Sequence, residues 1–371
     1  MDDIKLLETT SNPLIDRVLE GMVQVFEMVF PDRIRGYYLL GSFVDGSAMP
    51  TSDIDGFILF KGNFTDSEEE QRAWALRRSC SRMMTPELDF SPIGEAVFSH
   101  HGDVSLKLAS LLLYGEDIRP QLGLPDMDFY TRMLMHNTLG FLRRIRKPDS
   151  PFRYPLDYPD PDDEYFGYVV KGVDQANRAA TKELINCVGK PALALVALQT
   201  GRHVKNKMDC LEQYRTHIND EWTGLLEDIY DKCRALWHYG IPADPEGQAE
   251  LKALCQRTLL YENYYLHQYR EFLVREIERP GGKGQWLSFN EAANWLGLPR
   301  ELVEAELAAG RLQSRQTDGE VRCLIESFNL LMAVRGLAGV VYGDLDVGAL
   351  VEPYGKSENV FLRHLVGKAL E

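Results

Sequence analysis

Two carboxylates one residue apart, at the mouth of an apolar run, constrain this chain more than any other feature. The stretch reads Tyr37-Tyr38-Leu39-Leu40, then Gly41-Ser42, a polar passage ending at Ser52, and Asp53-Ile54-Asp55 leading into Gly56-Phe57-Ile58-Leu59-Phe60. Short apolar runs bounded by Gly, Ser, Pro and Asp read as strands. On a strand, alternate side chains share a face, so Asp53 and Asp55 project together while Ile54 enters the core. Two hard anionic oxygen donors held close together suit Mg²⁺, which proteins bind through one or two carboxylates plus nucleotide phosphates. Gly41 lets a phosphate approach the backbone, and Ser42 can donate a hydrogen bond to it. A helix starting at this point would add free N–H groups that attract the same anion. Gly41, Ser42 and Ser52 are the nucleotide-binding candidates.

Gly-Ser, a spacer and Asp-x-Asp on the following strand resemble the nucleotidyltransferase superfamily of the DNA polymerase β type. That resemblance implies a third acidic residue on a later strand. The candidate is Asp89 in Pro86-Glu87-Leu88-Asp89-Phe90, after a helix expected from Asp66 to Met84. Leu88 and Phe90 place Asp89 on the opposite face from themselves. Glu87 shares that face and rivals it, with Glu95 further behind. The resemblance implies ATP as co-substrate and Mg²⁺, as two ions, held by Asp53, Asp55 and Asp89. Asp89 either binds the second ion or takes a proton from the attacking hydroxyl.

With 371 residues the chain has room for two or three domains. The sequence predicts an N-terminal α/β domain with a mixed sheet over 1–120, a helical domain over 121–279, and a small winged-helix-like module with a tail over 280–371. The N-terminus lacks a basic-then-apolar signal and no apolar run reaches a membrane span, so a cytoplasmic protein is expected. The six cysteines are scattered without a Cys-x-x-Cys pair, which suits free thiols and not structural zinc. A net charge of -15 disfavours a broad nucleic-acid surface and suits a cationic partner.

In the first domain, residues 11–30 carry a helix-period apolar stripe that should pack on the first strand, and 106–115 read as a buried helix ending at Gly115. From about 126 the pattern turns helical, interrupted at 148–164 by five prolines and six acidic residues. Prolines at that density form an exposed loop, a connector or an acidic lip. The apolar run Ala192-Leu193-Ala194-Leu195-Val196-Ala197-Leu198 then leads into Thr200-Gly201-Arg202-His203-Val204-Lys205-Asn206-Lys207. This resembles the second-domain signature of the aminoglycoside 3''/9-adenylyltransferases. It implies that Lys207 contacts nucleotide phosphates and that Glu183, near the start of the helix, faces the acceptor. An arginine that the family places mid-helix falls on Leu193 here, a departure that leaves one nucleotide contact without its residue.

Pro280-Gly281-Gly282-Lys283-Gly284 reads as a linker. Beyond it, 287–312 predict two short helices and 315–325 a hairpin turning at Asp318-Gly319, similar to the winged helix-turn-helix of excisionases and MerR-type regulators. Glu301, Glu304 and Glu306 lie on the helix that would enter a major groove, where phosphate contacts need Lys or Arg. Protein contact or self-association is therefore the expected role. A last helix is expected over 357–370. The acceptor implied by the resemblance is a small cationic molecule bearing a hydroxyl, such as an aminoglycoside. Two other classes fit the sequence: a nucleotidyltransferase that modifies a protein or RNA, and a non-catalytic regulator that binds nucleotide or DNA.

Overall fold

In the computed structural model, residues 4–50, 52–83, 86–98, 102–146, 151–169, 179–279, 281, 285–288, 300–317 and 319–355 are described. They fall into two compact units. One comprises Met1–Asp126, His203–Gln213 and Arg234–Tyr239; the other comprises Met127–Arg202, Tyr214–Cys233 and Gly240–Glu371.

In the first unit, α1 (Pro13–Val29) begins where the Asn12 side chain accepts from Leu14 N, with proline at the first helical position. Its stripe of Ile15, Leu19, Met22, Val23 and Phe26 is buried against Tyr37, Leu39, Ile58 and Phe60. The strands are β1 (Ile34–Leu39), β2 (Ile54–Phe60), β3 (Leu88–Gly94) and β4 (Leu111–Gly115), in the order β3-β2-β1-β4. β1 runs antiparallel to both β2 and β4, while β2 and β3 are parallel. A parallel pair needs a long crossover, which α2 (Ser67–Met83) supplies. The opposite face of the sheet buries Tyr38, Leu59, Phe98, Leu106 and Leu112.

One expectation fails here. Residues 106–115 are not a single helix: α3 (Val104–Leu108) is short, and the chain then extends into β4. Leu112 joins one core and Leu113 the other. A short apolar run whose buried residues face both cores has no periodicity to separate strand from helix. Pairing with β1, and Leu7 N and Glu8 N donating to Leu113 O and Leu112 O, decide for the strand.

The second unit is built on α4 (Met127–Arg146), α5 (Lys182–Thr200), α7 (Thr223–Asp228) and the long α8 (Pro245–Glu278), preceded in sequence by a π-helical stretch Ile229–Leu236. α6 (Lys207–His217) starts in the first unit. Within the second unit, the proline-rich segment contributes β5 (Phe152–Tyr154), paired in parallel with β9 (Val340–Tyr342), while Asp157 and Asp160 to Glu164 stay exposed. Arg146 spans this segment: it donates to Asp157 O, to the Tyr168 hydroxyl and to the buried carboxylate of Glu262 on α8. Burial raises the pKa of Glu262, and the Arg146 charge opposes that shift.

Toward the C-terminus, β6 (Trp286–Ser288), β7 (Ser314–Thr317) and β8 (Glu320–Leu324) form an antiparallel sheet in the order β6-β8-β7. The hairpin turn has Gly319 at φ 79. Helix Ile325–Gly339 packs against α8 within the same unit. The expected helix at the start of this module, Asp318 and the expected helix over 357–370 lie outside the described residues. No described helix is long and apolar enough to cross a membrane.

Candidate active site

β2 places the carboxylates. Ile54 is fully buried, and Asp53 and Asp55 on either side of it stand half-buried at the mouth of the strand. The parallel register sets Asp55 beside Asp89 on β3, and Leu88 and Phe90 turn inward. One oxygen from each of Asp53, Asp55 and Asp89 lies within 4.8 Å of the others. The sheet can close this tightly because Gly56 carries no side chain: a Cβ there would meet the Phe90 ring at 2.2 Å.

The rival acids are engaged elsewhere. Glu87 Oε1 accepts from Ser81 Oγ at 3.0 Å. Glu95 accepts from Arg35 Nε at 2.8 Å and from Gly62 N at 2.8 Å, and the Arg35 hydrogen bond holds its carboxyl below the usual range.

Gly41 lies against the trio. Its φ is +71, and a Cβ there would fall 2.7 Å from Asp55 Oδ2. Both facts exclude a side chain, so the motif glycine follows from sterics. What starts at Gly41-Ser42 is a single 3-10 turn, Gly41–Phe43, too short to present a helix dipole. From there a structured loop returns to Asp53. Asp45 Oδ1 accepts from Ser47 N at 3.0 Å, and Met49 N donates to Ser52 Oγ at 2.9 Å. Ser52 is buried, and its hydroxyl accepts that bond.

Thr200-Gly201 ends α5, with Gly201 left-handed at φ 62 as the helix cap. Beyond Arg202, His203–Gln213 belongs to the same compact unit as the trio. Ser105 Oγ donates to Lys205 O at 3.1 Å, and His203 Nε2 lies 2.8 Å from Pro125 O. Lys207 is exposed at the start of α6. Glu183 falls in the other unit, where its Oε2 accepts from Asn186 Nδ2 at 3.2 Å.

Two arginines here carry no sequence signal. Arg234, nine-tenths buried, donates through Nη2 to Ser47 O at 2.6 Å and to Ser47 Oγ at 2.8 Å, and its Nη1 lies 3.6 Å from Met208 Sδ. It thus adds positive charge to the loop between Gly41-Ser42 and Asp53, beside the neighbour of Lys207. Arg77 on α2 donates through Nη2 to Asp89 Oδ1. Both are far in sequence from the residues they touch or lie on another element, so no spacing rule finds them. The second unit holds a cavity of about 570 Å³ lined by α4, α5 and α8, with Arg132 bonded to Glu276; Gly201 of the Thr200-Gly201 signature lines it, as do Ala197 and Leu198.

Residues 22–111, from within α1 to the start of β4, match the family described as "Nucleotidyltransferase domain". The chain carries a nucleotidyltransferase domain. That domain makes it an enzyme of the nucleotidyltransferase type. The structure of spectinomycin adenyltransferase AAD(9) from Enterococcus faecialis, with ATP and spectinomycin, is similar over 68% of this chain and 98% of its own, at 13% identity and a TM-score of 0.41. No curated protein sequence matches significantly.

Proposed function

We propose that the chain transfers a nucleoside monophosphate, AMP from ATP, to a hydroxyl of a small cationic acceptor of the aminoglycoside kind. The observation that carries the reaction class is the grouping of Asp53, Asp55 and Asp89 inside a nucleotidyltransferase domain. The donor set suits Mg²⁺: three hard oxygens close together, beside a glycine whose missing Cβ leaves space at Asp55. One or two Mg²⁺ ions held by these residues would draw charge from the α-phosphorus and stabilise the departing pyrophosphate.

The remaining roles fall to the chain's own groups. Gly41 admits the triphosphate to the backbone, and Ser42 and Ser52 offer it hydroxyl donors. Lys207 and Arg234 neutralise its charge. Asp89 either completes the metal's ligands or accepts the proton of the attacking hydroxyl. Glu183 contributes to acceptor binding. Residues 1–120 hold the nucleotide, 121–279 add further nucleotide contacts through Lys207 and Arg234 together with the acceptor contacts, and 280–371 serve protein contact. The net charge of -15 and the exposed carboxylates at 157–164 favour a polycationic acceptor.

Incubation with Mg²⁺, α-labelled ATP and a panel of aminoglycosides tests the acceptor. Label is expected on a drug and is lost in Asp53→Asn. Label on protein, or consumption of ATP with every drug unlabelled, contradicts this acceptor.

A further inference from the structure

The cavity among α4, α5 and α8 lies wholly within the second unit, and none of its lining residues comes from the unit that holds the acids. Its volume of about 570 Å³ falls in the range of small-molecule sites. Ala197, Leu198 and Phe272 give it an apolar wall, with Ala197 and Phe272 buried. Beside that wall is a buried ion pair. Arg132 donates through Nε to Glu276 Oε2 at 2.6 Å and through Nη2 to Glu276 Oε1 at 3.2 Å, and the two side chains are only 10% and 12% exposed. Asp128 Oδ2 stands 3.9 Å from the same Nη2. Among the described residues Arg132 Nη1 makes no hydrogen bond, and each Glu276 oxygen can accept one more. The backbone is also shaped around the guanidinium. A Cβ on Gly281 would fall 2.0 Å from Arg132 Nη2, and Asn329 Nδ2 donates to Gly281 O at 3.0 Å. A buried ion pair adds little stability over apolar side chains of the same volume. One kept at a cavity wall, with a donor and an acceptor to spare, suits a ligand that carries both charges.

We propose that this cavity binds a small zwitterion of the α-amino-acid type with an apolar side chain, its carboxylate on Arg132 and its ammonium group on Glu276. The other charges of the lining agree with a ligand of no net charge. The exposed Arg275 and Arg279 are matched by the exposed Asp128 and Glu278, so the lining carries three charges of each sign. Such a balance gives no advantage to a simple anion or cation, whereas a ligand with separated charges meets a complement for each. The ligand's side chain lies on Phe272 and Leu198, where its apolar area leaves water.

Isothermal titration calorimetry of the full chain with L-phenylalanine and L-leucine, without nucleotide, tests this. Saturable binding of one molecule per chain is expected. 3-Phenylpropanoate lacks the ammonium group and 2-phenylethylamine lacks the carboxylate. Each should bind about tenfold more weakly than L-phenylalanine or worse, the loss of one charge-assisted contact. Leu198→Trp fills the cavity and leaves the ion pair in place. It should melt near the wild-type temperature and weaken L-phenylalanine binding about tenfold or more. An ion pair that only braced the backbone at Gly281 would leave the wild-type chain unable to bind either amino acid. That result overturns the proposal, as does an analogue that binds as tightly as L-phenylalanine, or binding that Leu198→Trp leaves unchanged. If Leu198→Trp fails to fold, the two analogues on the wild-type chain decide alone.

Discussion

At the residue scale, the site depends on what is missing from Gly41. A left-handed φ of +71 costs a non-glycine residue about 1–2 kcal/mol. The larger effect is local, because the new Cβ would stand 2.7 Å from Asp55 Oδ2 and displace that carboxylate. Gly41→Ala should therefore fold with a slightly lowered Tm and lose turnover by about 100-fold, the cost of a misplacement of roughly 1 Å at a reacting centre. Circular dichroism melts together with steady-state kinetics check this. Full activity in a folded Gly41→Ala would show that Asp55 tolerates displacement. The carboxylates themselves were legible because strand alternation fixes their direction from local sequence alone: Ile54 in, Asp53 and Asp55 out. Arg77 and Arg234 were not legible. Each is one arginine among many until a helix or a distant segment folds against the motif.

At the element scale, α2 matters because it carries the chain between the two parallel strands that hold the acids. Its start is fixed by Glu69, which accepts from Arg33 Nε at 2.7 Å and from Thr65 N at 2.7 Å. The Arg33 hydrogen bond, above all, pushes the Glu69 carboxyl down to about 2. A carboxylate whose folded pKa is depressed adds stability above its ordinary value near 4.5 and loses it as pH falls toward about 2. Because Arg33 is partly exposed, the contribution is about 1–2 kcal/mol once solvent screening is included. Glu69→Gln should be less stable than wild type by that amount at pH 7. The gap should close between pH 4.5 and 2 in urea denaturation series. A gap that persists at pH 2 would mean that Glu69 acts through packing and not through its charge. The helix at 13–29 was readable from the apolar stripe over 11–30, and a helix was expected over 66–84, where α2 forms. β4 was misread because Leu112 and Leu113, buried on opposite faces, leave the short apolar run without a period, and only pairing with β1 reveals it as a strand.

At the scale of the whole molecule, contiguity in sequence and in space part company. The unit that holds the acids takes in His203–Gln213 and Arg234–Tyr239, so Lys207 and Arg234 join the nucleotide-binding candidates from segments beyond the first 126 residues. A pass along the chain marks where a helix ends at Thr200-Gly201; it does not show that the next residues leave the helical unit. Net acidity pointed to the charge of a partner, which is a statement about the solvent-facing surface and not about which hydroxyl is modified.

The central claim is that the trio directs attack at the α-phosphorus of a nucleoside triphosphate. Its most direct test follows ATP labelled separately at the α and γ phosphates, with Mg²⁺, in wild type, Asp53→Asn and Asp55→Asn. The predicted result is γ-label in pyrophosphate and α-label on the acceptor, or on AMP when water takes its place, with both products lost in the two variants. Formation of ADP and orthophosphate, or turnover that survives Asp53→Asn and Asp55→Asn, would contradict it.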